Sequence, residues 1–319
     1  MNSHIRLLTA AGAAVLLGWA APAQAQRQVN ARQSTSGTGT TEISTNGGSL
    51  RVIGWNRNEI QVTGTLAREG DRLQLDGGDV TVVGSRGRAG PATLEVRVPA
   101  GRSVQVQAGG GAVTVTGVEG NVEADNQNGP VSINGSPRNV EVSTTNGPVT
   151  INCTTRDVSV HSMNGPITVA GSASGHIEAD ALNGGVTISA ASPRMEVNTL
   201  NGPVRITSAN GQVEVNTVSA PITVAGRRIT GSMQTVSGPV VVEGPLSGDL
   251  SVDSHSGSVE LRLPGGTDAD LTVTTWNGRF TSAFGEGRRD GGERRLRIGS
   301  GGTDITITTF SGPVRLIRR

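Results

Sequence analysis

The first candidates for chemistry are carboxylates in a repeated segment. Glu178, Glu196 and Glu214 recur every 18 residues, so stacked repeats would hold them about 5 Å apart. Because Ca²⁺ prefers carboxylate oxygens, this column is a candidate cation strip. The alternative is a solvated acidic face, since the sequence lacks the glycine- and aspartate-rich repeat that binds calcium in some β-helices.

A second candidate is the segment rich in arginine and glycine at residues 283–303. It could contact an anionic surface such as lipopolysaccharide or an acidic glycan. The alternative is a solvated loop, because acidic residues are interleaved with the basic ones. The arginines of this segment are Arg288, Arg289, Arg294, Arg295 and Arg297.

Residue types for catalysis are present but scattered. No two aspartates fall where a pair would flank a glycosidic bond. The aspartates considered are Asp125, Asp157, Asp180, Asp249 and Asp253. His161, His176 and His255 stand alone, so no set of nucleophile, base and orienting residue is evident. We therefore expect no enzymatic activity, no catalytic residues, no cofactor and no resident metal.

The composition excludes several functional classes. The 319 residues carry a net charge of +1, all 27 basic residues are arginine, and aromatic residues make up 2%. Without a basic face or aromatic side chains to stack on bases, nucleic acid is not an expected partner. The single cysteine, Cys153, excludes an intrachain disulfide framework. Acidic residues dominate 104–278 and arginines dominate 279–319, so head-to-tail self-association is a hypothesis.

The first 25 residues have the features of a cleaved signal peptide. Arg6 precedes a short apolar stretch at 7–21, and Ala23 and Ala25 form an A-x-A cleavage site. We therefore expect an exported protein that is periplasmic, on the cell surface or secreted. No second apolar stretch of about 18 residues follows, so no transmembrane segment is expected in the mature chain. The polar residues 26–41 are expected to form a flexible leader.

A repeat of about 18 residues organises the rest of the chain. Each copy has an Asn-Gly or Ser-Gly pair, often followed by proline, between two short runs in which valine or isoleucine alternates with polar residues. Such alternation is typical of strands with one buried face. The sequence predicts an all-β, single-domain parallel β-solenoid (β-helix) with two short strands per coil. Residues 42–103 would form irregular N-terminal coils or a cap, and 104–319 the regular solenoid with its insertion at 283–303.

Two further predictions concern the turn in each coil. Stacked asparagines would form an amide ladder, and glycine would provide a positive φ. The residue before each pair is apolar in the middle coils, and we expect it to point inward at a corner and to close the stack near the C-terminus. The ladder consists of Asn128, Asn146, Asn164, Asn183 and Asn201. The corner column consists of Gln127, Thr145, Met163, Leu182, Leu200, Val218, Val236, His255, Trp276 and Phe310.

The sequence resembles a bacterial putative-adhesin family of unknown function, which is built from β-strand repeats and is related to the head domain of putative autotransporter adhesins. The resemblance rests on LEVRVPAG at 94–101, its echo LRLPG at 261–265, the Asn-Gly-Pro repeats and the predicted export signal. It implies an exported β-solenoid with a role in adhesion or surface interaction. It brings no catalytic residues.

We therefore expect a non-enzymatic adhesin or surface-interaction module of the bacterial envelope. Its partner would be an unidentified envelope or surface component, either a glycan or a protein, held by many weak contacts. One alternative is a carbohydrate-active β-helix that binds a glycan or cleaves a polysaccharide. The other is a purely structural envelope protein.

Overall fold

The computed structural model describes residues 26–85 and 87–319, so the predicted signal peptide at residues 1–25 lies outside the described residues. All regular structure in the described part is β, and its 29 strands belong to one continuous sheet. This confirms the all-β prediction. The sheet folds into a solenoid-like stack of layers, and most layers contribute one strand to each of two opposite walls.

The strands fall into three groups along the chain. The N-terminal strands are β1 (Arg27–Ser34), β2 (Thr40–Thr45), β3 (Gly48–Trp55), β4 (Glu59–Leu66), β5 (Arg72–Asp76), β6 (Asp79–Val83) and β7 (Ala92–Pro99). The middle strands are β8 (Ser103–Ala108), β9 (Val113–Thr116), β10 (Val122–Asn128), β11 (Val131–Gly135), β12 (Asn139–Asn146), β13 (Val149–Thr155), β14 (Asp157–Ser162), β15 (Ile167–Ala173), β16 (His176–Ala181), β17 (Val186–Ile188), β18 (Arg194–Thr199), β19 (Val204–Thr217), β20 (Ile222–Thr235) and β21 (Val240–Glu243). The C-terminal strands are β22 (Leu246–Ser254), β23 (Val259–Leu263), β24 (Ala269–Thr275), β25 (Phe280–Ser282), β26 (Arg288–Asp290), β27 (Glu293–Ile298), β28 (Thr303–Thr309) and β29 (Val314–Arg318).

In the middle of the stack, the strand register follows the sequence repeat. Val149 of β13 lies beside Ile167 of β15 in a parallel pair, and Ile167 lies beside Val186 of β17. Val186 in turn lies beside Val204 of β19. Equivalent side chains 18 or 19 residues apart therefore form continuous columns along the stack.

The inward columns form the core. Val149 is 1% exposed, and Ile167, Val186 and Ile222 are completely buried. β-Branched side chains pack well on a pleated surface, and each one buried contributes about 1.5–3 kcal/mol. A single layer has too few of them to be stable alone, so the stack is stable only as a whole.

A hydroxyl closes most of the turns of the stack. Thr199 lies three residues before Gly202, and its Oγ1 accepts a hydrogen bond of 3.2 Å from the Gly202 N–H. The same bond recurs at Ser162, Thr235, Ser254 and Thr309. These hydroxyls are buried, so the bond satisfies a polar group that would otherwise be costly to bury.

Close stacking, more than a positive φ, explains the turn glycines. Among them φ is positive at Gly111, Gly129 and Gly147, so the predicted reason holds only in the first layers. At Gly202 a Cβ would overlap the carbonyl oxygen of Gly184 in the neighbouring layer. Ala220 shows that one such turn accommodates a methyl group, and it is buried there.

The N-terminal end is covered by antiparallel strands. β1 pairs with β4 in register from Arg27 opposite Leu66 to Ser34 opposite Glu59, and β4 pairs with β7. The prediction of a flexible leader over residues 26–41 is therefore wrong for β1. The backbone of β1 pairs with β4 as an edge strand. The local polar composition does not reveal this long-range pairing.

At both ends, the layers are not stacked in sequence order. The layer of β2 and β3 lies between the layers of β6–β7 and β8–β9. Likewise, the layer of β28 and β29 lies between those of β22–β23 and β24–β25. The layer of β2 and β3 and the layer of β28 and β29 are thus each second from one end of the stack. The last residues of the chain therefore do not form the outermost layer, because β28 pairs with β22 on one side and with β24 on the other.

Candidate functional site

The corner column forms an exposed apolar row on the surface. The side chains of Met163, Leu182, Leu200, Val218 and Val236 are between 39% and 50% exposed. The prediction that they point inward is wrong. In each of these turns the preceding residue is buried instead, such as Thr199 before Leu200. The hydroxyls of Ser162, Thr199 and Thr235 bond there to the turn backbone.

This row lines a long open groove of about 1330 Å³. Backbone hydrogen bonds join consecutive layers at the row, for example from Asn183 N–H to Met163 C=O and from Ser219 N–H to Leu200 C=O. With about 4.8 Å per layer, the five aliphatic side chains from Met163 to Val236 extend over about 19 Å. We call these five residues the apolar stripe.

An aromatic cluster continues the apolar stripe towards the C-terminal end of the groove. The rings of His255 and Phe310 are stacked with centroids 5.0 Å apart, and Trp276 lies 6.1 Å beyond Phe310. Trp276 is 70% exposed. The row from Met163 to Trp276 crosses seven steps between layers, and at about 4.8 Å per step it spans about 34 Å.

One side of the groove is a column of polar side chains, four of which contact one another in series. Asn216 Nδ2 donates to Asn198 Oδ1 (3.0 Å), and Asn198 Nδ2 donates to Asp180 Oδ1 (2.9 Å). His161 Nδ1 lies 3.0 Å from the other oxygen of Asp180. The column consists of Gln107, Asp125, Ser143, His161, Asp180, Asn198, Asn216, Gln234 and Asp253.

The asparagine ladder lies one residue beyond the apolar stripe in the sequence, and its members do not line the groove. Asn146, Asn164 and Asn183 each donate from Nδ2 to Oδ1 of the asparagine in the preceding layer, at 2.9–3.0 Å. Asn201 continues the ladder to Asn183 at 3.1 Å. The apolar stripe is one side chain wide, because each member lies between a buried residue before it and an asparagine or serine after it.

The acidic column of Glu178, Glu196 and Glu214 is brought into register on neighbouring strands. Glu196 lies 3.6 Å from the Arg194 guanidinium, and Glu178 accepts a 3.4 Å hydrogen bond from Ser159. Within the described part of the chain, no group of three or more histidine, cysteine or acidic side chains could hold a metal ion. The cation strip remains a prediction.

A family model described as Toastrack DUF4097 matches residues 22–316. The chain belongs to the Toastrack family. This confirms the resemblance to an adhesin-like family of unknown function. No curated protein matches the sequence.

Solved structures similar to this Toastrack chain have low sequence identity. A putative cell adhesion protein from Clostridium sporogenes is 7% identical, with a TM-score of 0.23, and the match covers 92% of this chain and 100% of the other. A putative adhesin from Bacteroides fragilis is 7% identical (TM-score 0.32, 92% and 99% covered). A putative lipid binding protein from Parabacteroides distasonis is 10% identical (TM-score 0.32, 91% and 96% covered).

The arginine-rich insertion of this Toastrack protein forms an antiparallel hairpin of β26 and β27. Arg288 lies opposite Arg295, and Arg289 lies opposite Arg294. Like charges placed directly across a strand pair repel each other, and an anionic partner would relieve this repulsion. Arg294 lies over the ring of Phe280 at 5.1 Å.

Two arginines of the hairpin have acidic partners. Arg297 Nε donates a 2.8 Å hydrogen bond to Asp270 Oδ1, and this bond lowers the pKa of Asp270. Arg295 Nη2 lies 2.9 Å from Glu293. Among the described residues, Arg288 and Arg289 form no ion pair.

The structure places three of the five candidate aspartates in one column. Asp125, Asp180 and Asp253 lie along the polar side of the groove, but layers between them separate the first two by about 14 Å and the last two by about 19 Å. Carboxyl pairs that act on glycosidic bonds lie within about 9.5 Å. Asp157 and Asp249 instead accept hydrogen bonds from backbone N–H groups of the next layer.

Two of the three candidate histidines, His161 and His255, line the groove, whereas His176 does not. Cys153 is buried, and burial raises the pKa of its thiol to about 11. No helix in the described part of the chain is long and apolar enough to cross a membrane. The groove is thus the feature that sequence analysis missed, and the available signal was the small or hydroxyl-bearing residue that precedes each member of the apolar stripe.

Proposed function

We propose that this protein is an exported, non-enzymatic parallel β-solenoid that serves as an interaction or adhesion module of the bacterial envelope and binds its partner along the groove. The apolar stripe carries this proposal. Single apolar side chains are common on protein surfaces, but here five of them recur in consecutive layers along one open groove, so an elongated ligand would meet one in every layer. Leu182 and Leu200 are each flanked by another member of the stripe on both sides.

The architecture supports binding through many small contacts. One apolar side chain recurs about every 4.8 Å, so contacts that are weak individually add along a single rigid or extended ligand. The spacing of the aspartates supports binding rather than turnover. Asp125, Asp180 and Asp253 of the polar column lie about 14 Å or more apart, farther than the carboxyl pairs that act on glycosidic bonds.

The experiment measures which envelope components the full chain retains. The double variant Leu200→Asn/Val218→Asn interrupts the apolar stripe, and we expect it to retain at least several-fold less of the specific component. Val83→Asn is the matched control, because Val83 is exposed to 42% and Val218 to 40%, and Val83 lies outside the groove. Equal retention by the wild type and the double variant would contradict the proposal.

A glycan-binding role is the second candidate, and the aromatic end of the groove favours it. Trp276 exposes most of its ring, and Asp253 on the nearby polar column offers carboxylate oxygens. An aromatic face with an adjacent polar group suits an amphipathic ring such as a sugar. Glycan-array binding that is lost in Trp276→Ala, with no release of cleaved product, would favour this role.

A further inference from the structure

We infer that the apolar stripe is the seat of an acyl chain, so that the ligand of the groove is a lipid. This inference rests on the proposed function, since it names the chemical class that the same groove would hold. Its basis is the shape of the stripe, the state of the polar column beside it and the spacing of its side chains.

The shape of the stripe fits a single hydrocarbon chain. It is one side chain wide, or about 5 Å, and about 34 Å long including the aromatic cluster. A patch of roughly 170 Å² falls far short of the about 800 Å² per partner that a stable protein interface needs. A second copy of this chain is therefore a poor occupant. A methylene chain has about the width of the stripe and can lie along it over its whole length.

The polar column beside the stripe has part of its hydrogen-bonding capacity occupied within the protein. Asn198 donates to Asp180 and accepts from Asn216. A peptide backbone or a row of sugar hydroxyls that gave up water here would find only part of the replacement hydrogen bonds, and unmade bonds are costly. An acyl chain has no such groups to satisfy.

The spacing of the stripe also distinguishes an acyl chain from an extended peptide. Side chains on one face of an extended peptide repeat about every 6.6 Å, whereas the stripe repeats about every 4.8 Å. A peptide lying along the groove would therefore lose register within a few layers. A methylene chain has no side-chain period of its own, so it matches any spacing along the stripe from Met163 to Val236.

The test titrates the full chain with saturated fatty acids of 8, 12 and 16 carbons, below their micelle concentrations. We expect the affinity to rise by about twofold for each methylene, because one side of the chain remains in water and only part of its transfer free energy is gained. We expect Leu182→Asn/Leu200→Asn to weaken binding of the 16-carbon acid by about tenfold. Val83→Asn should leave the affinity unchanged. Thermal unfolding of each variant checks that it is folded.

The outcomes separate this inference from the proposed function. Affinity that does not depend on chain length, or that falls equally in Val83→Asn, would overturn the acyl-chain inference. If no fatty acid binds while retention of an envelope component still depends on the stripe, a peptide or glycan occupies the groove and only the inference fails. If retention does not depend on the stripe either, the proposed function fails as well.

Discussion

The rings of His255 and Phe310 stack with their centroids 5.0 Å apart and their planes 3° from parallel. Strands β23 to β28 separate these two residues in the sequence. The contact exists because β28 lies between β22 and β24. Phe310 therefore separates His255 from Trp276, although His255 and Trp276 occupy consecutive copies of the repeat.

Engineered cysteines can test this order of layers. Ser251 and Thr306 are Cα partners on neighbouring strands, so Ser251→Cys/Thr306→Cys should form a disulfide on mild oxidation. Thr272 lies one layer further, about 9.6 Å from Ser251, so Ser251→Cys/Thr272→Cys should stay reduced. Mass spectrometry of digested protein distinguishes the pairs. Cross-linking of the second pair but not the first would show that the layers follow sequence order.

The hydroxyl bond in the turns predicts opposite effects for two similar substitutions. Thr199→Val removes the acceptor of the Gly202 N–H and should lower the free energy of unfolding by about 1 kcal/mol. Thr217 is buried to a similar degree, but its Oγ1 has no hydrogen-bond partner among the described residues. Thr217→Val should therefore be neutral or stabilising. Urea denaturation measures both, and equal losses would contradict the role of the hydroxyl.

The turn residues Thr199 and Leu200 show which parts of the site could be predicted from the sequence. The period of the repeat is enough to place Val149 beside Ile167, because any one-residue slip would expose the core face. Polarity alone misplaces the corner, since it suggests that Leu200 points inward and Thr199 outward. The turn reverses this assignment because a buried hydroxyl can satisfy a backbone N–H and a leucine cannot.

The order of the terminal layers could not be predicted from the sequence either. The spacing around Trp276 and Phe310 shows that both belong to the repeat. It does not indicate that the layer of Phe310 lies between the layers of His255 and Trp276. That order depends on the hairpin of β26 and β27, which covers β24 in antiparallel orientation and leaves its opposite edge for β28. Non-local strand pairing of this kind has no local sequence signal.

The asparagine ladder predicts a position-dependent loss of stability. Asn164 takes part in two ladder bonds and Asn201 in one with Asn183. At about 0.5–1 kcal/mol for each exposed bond, Asn164→Ala should destabilise the protein about twice as much as Asn201→Ala. Thermal and denaturant unfolding can measure the difference. If the two variants lose the same stability, the amide bonds contribute little and the turn conformation dominates.

The arginine-rich hairpin predicts binding to anionic surfaces. Arg288→Ser/Arg289→Ser should weaken retention on phosphatidylglycerol-containing vesicles several-fold, because it removes two exposed charges with no ion-pair partner among the described residues. Added salt should weaken the wild type in the same way. Arg227→Ser/Arg228→Ser, an exposed adjacent pair outside the hairpin, is the control. An equal loss in this control would show that only net charge matters.

Burial of Cys153 predicts a dependence on pH and on unfolding. Because burial raises the pKa of the thiol from 9.0 to about 11, the folded protein should react slowly with thiol reagents at pH 8 and rapidly once unfolded. The raised pKa also means that its contribution to stability is complete below pH 9 and is lost as the pH rises towards 11. Cys153→Ala should lack this loss. Rapid labelling of the folded protein at pH 8 would contradict the buried position.

The position of the terminal layers has a consequence for how the molecule is completed. A solenoid wound in order could lose its tail and remain a shorter rod, but a chain that ends before residue 303 would here lack a layer beneath the outermost one. The edges of β22 and β24 would then face an empty slot. Truncated products would carry two unsatisfied strand edges inside one molecule, so a protease or chaperone that recognises open edges could tell an unfinished copy from a finished one.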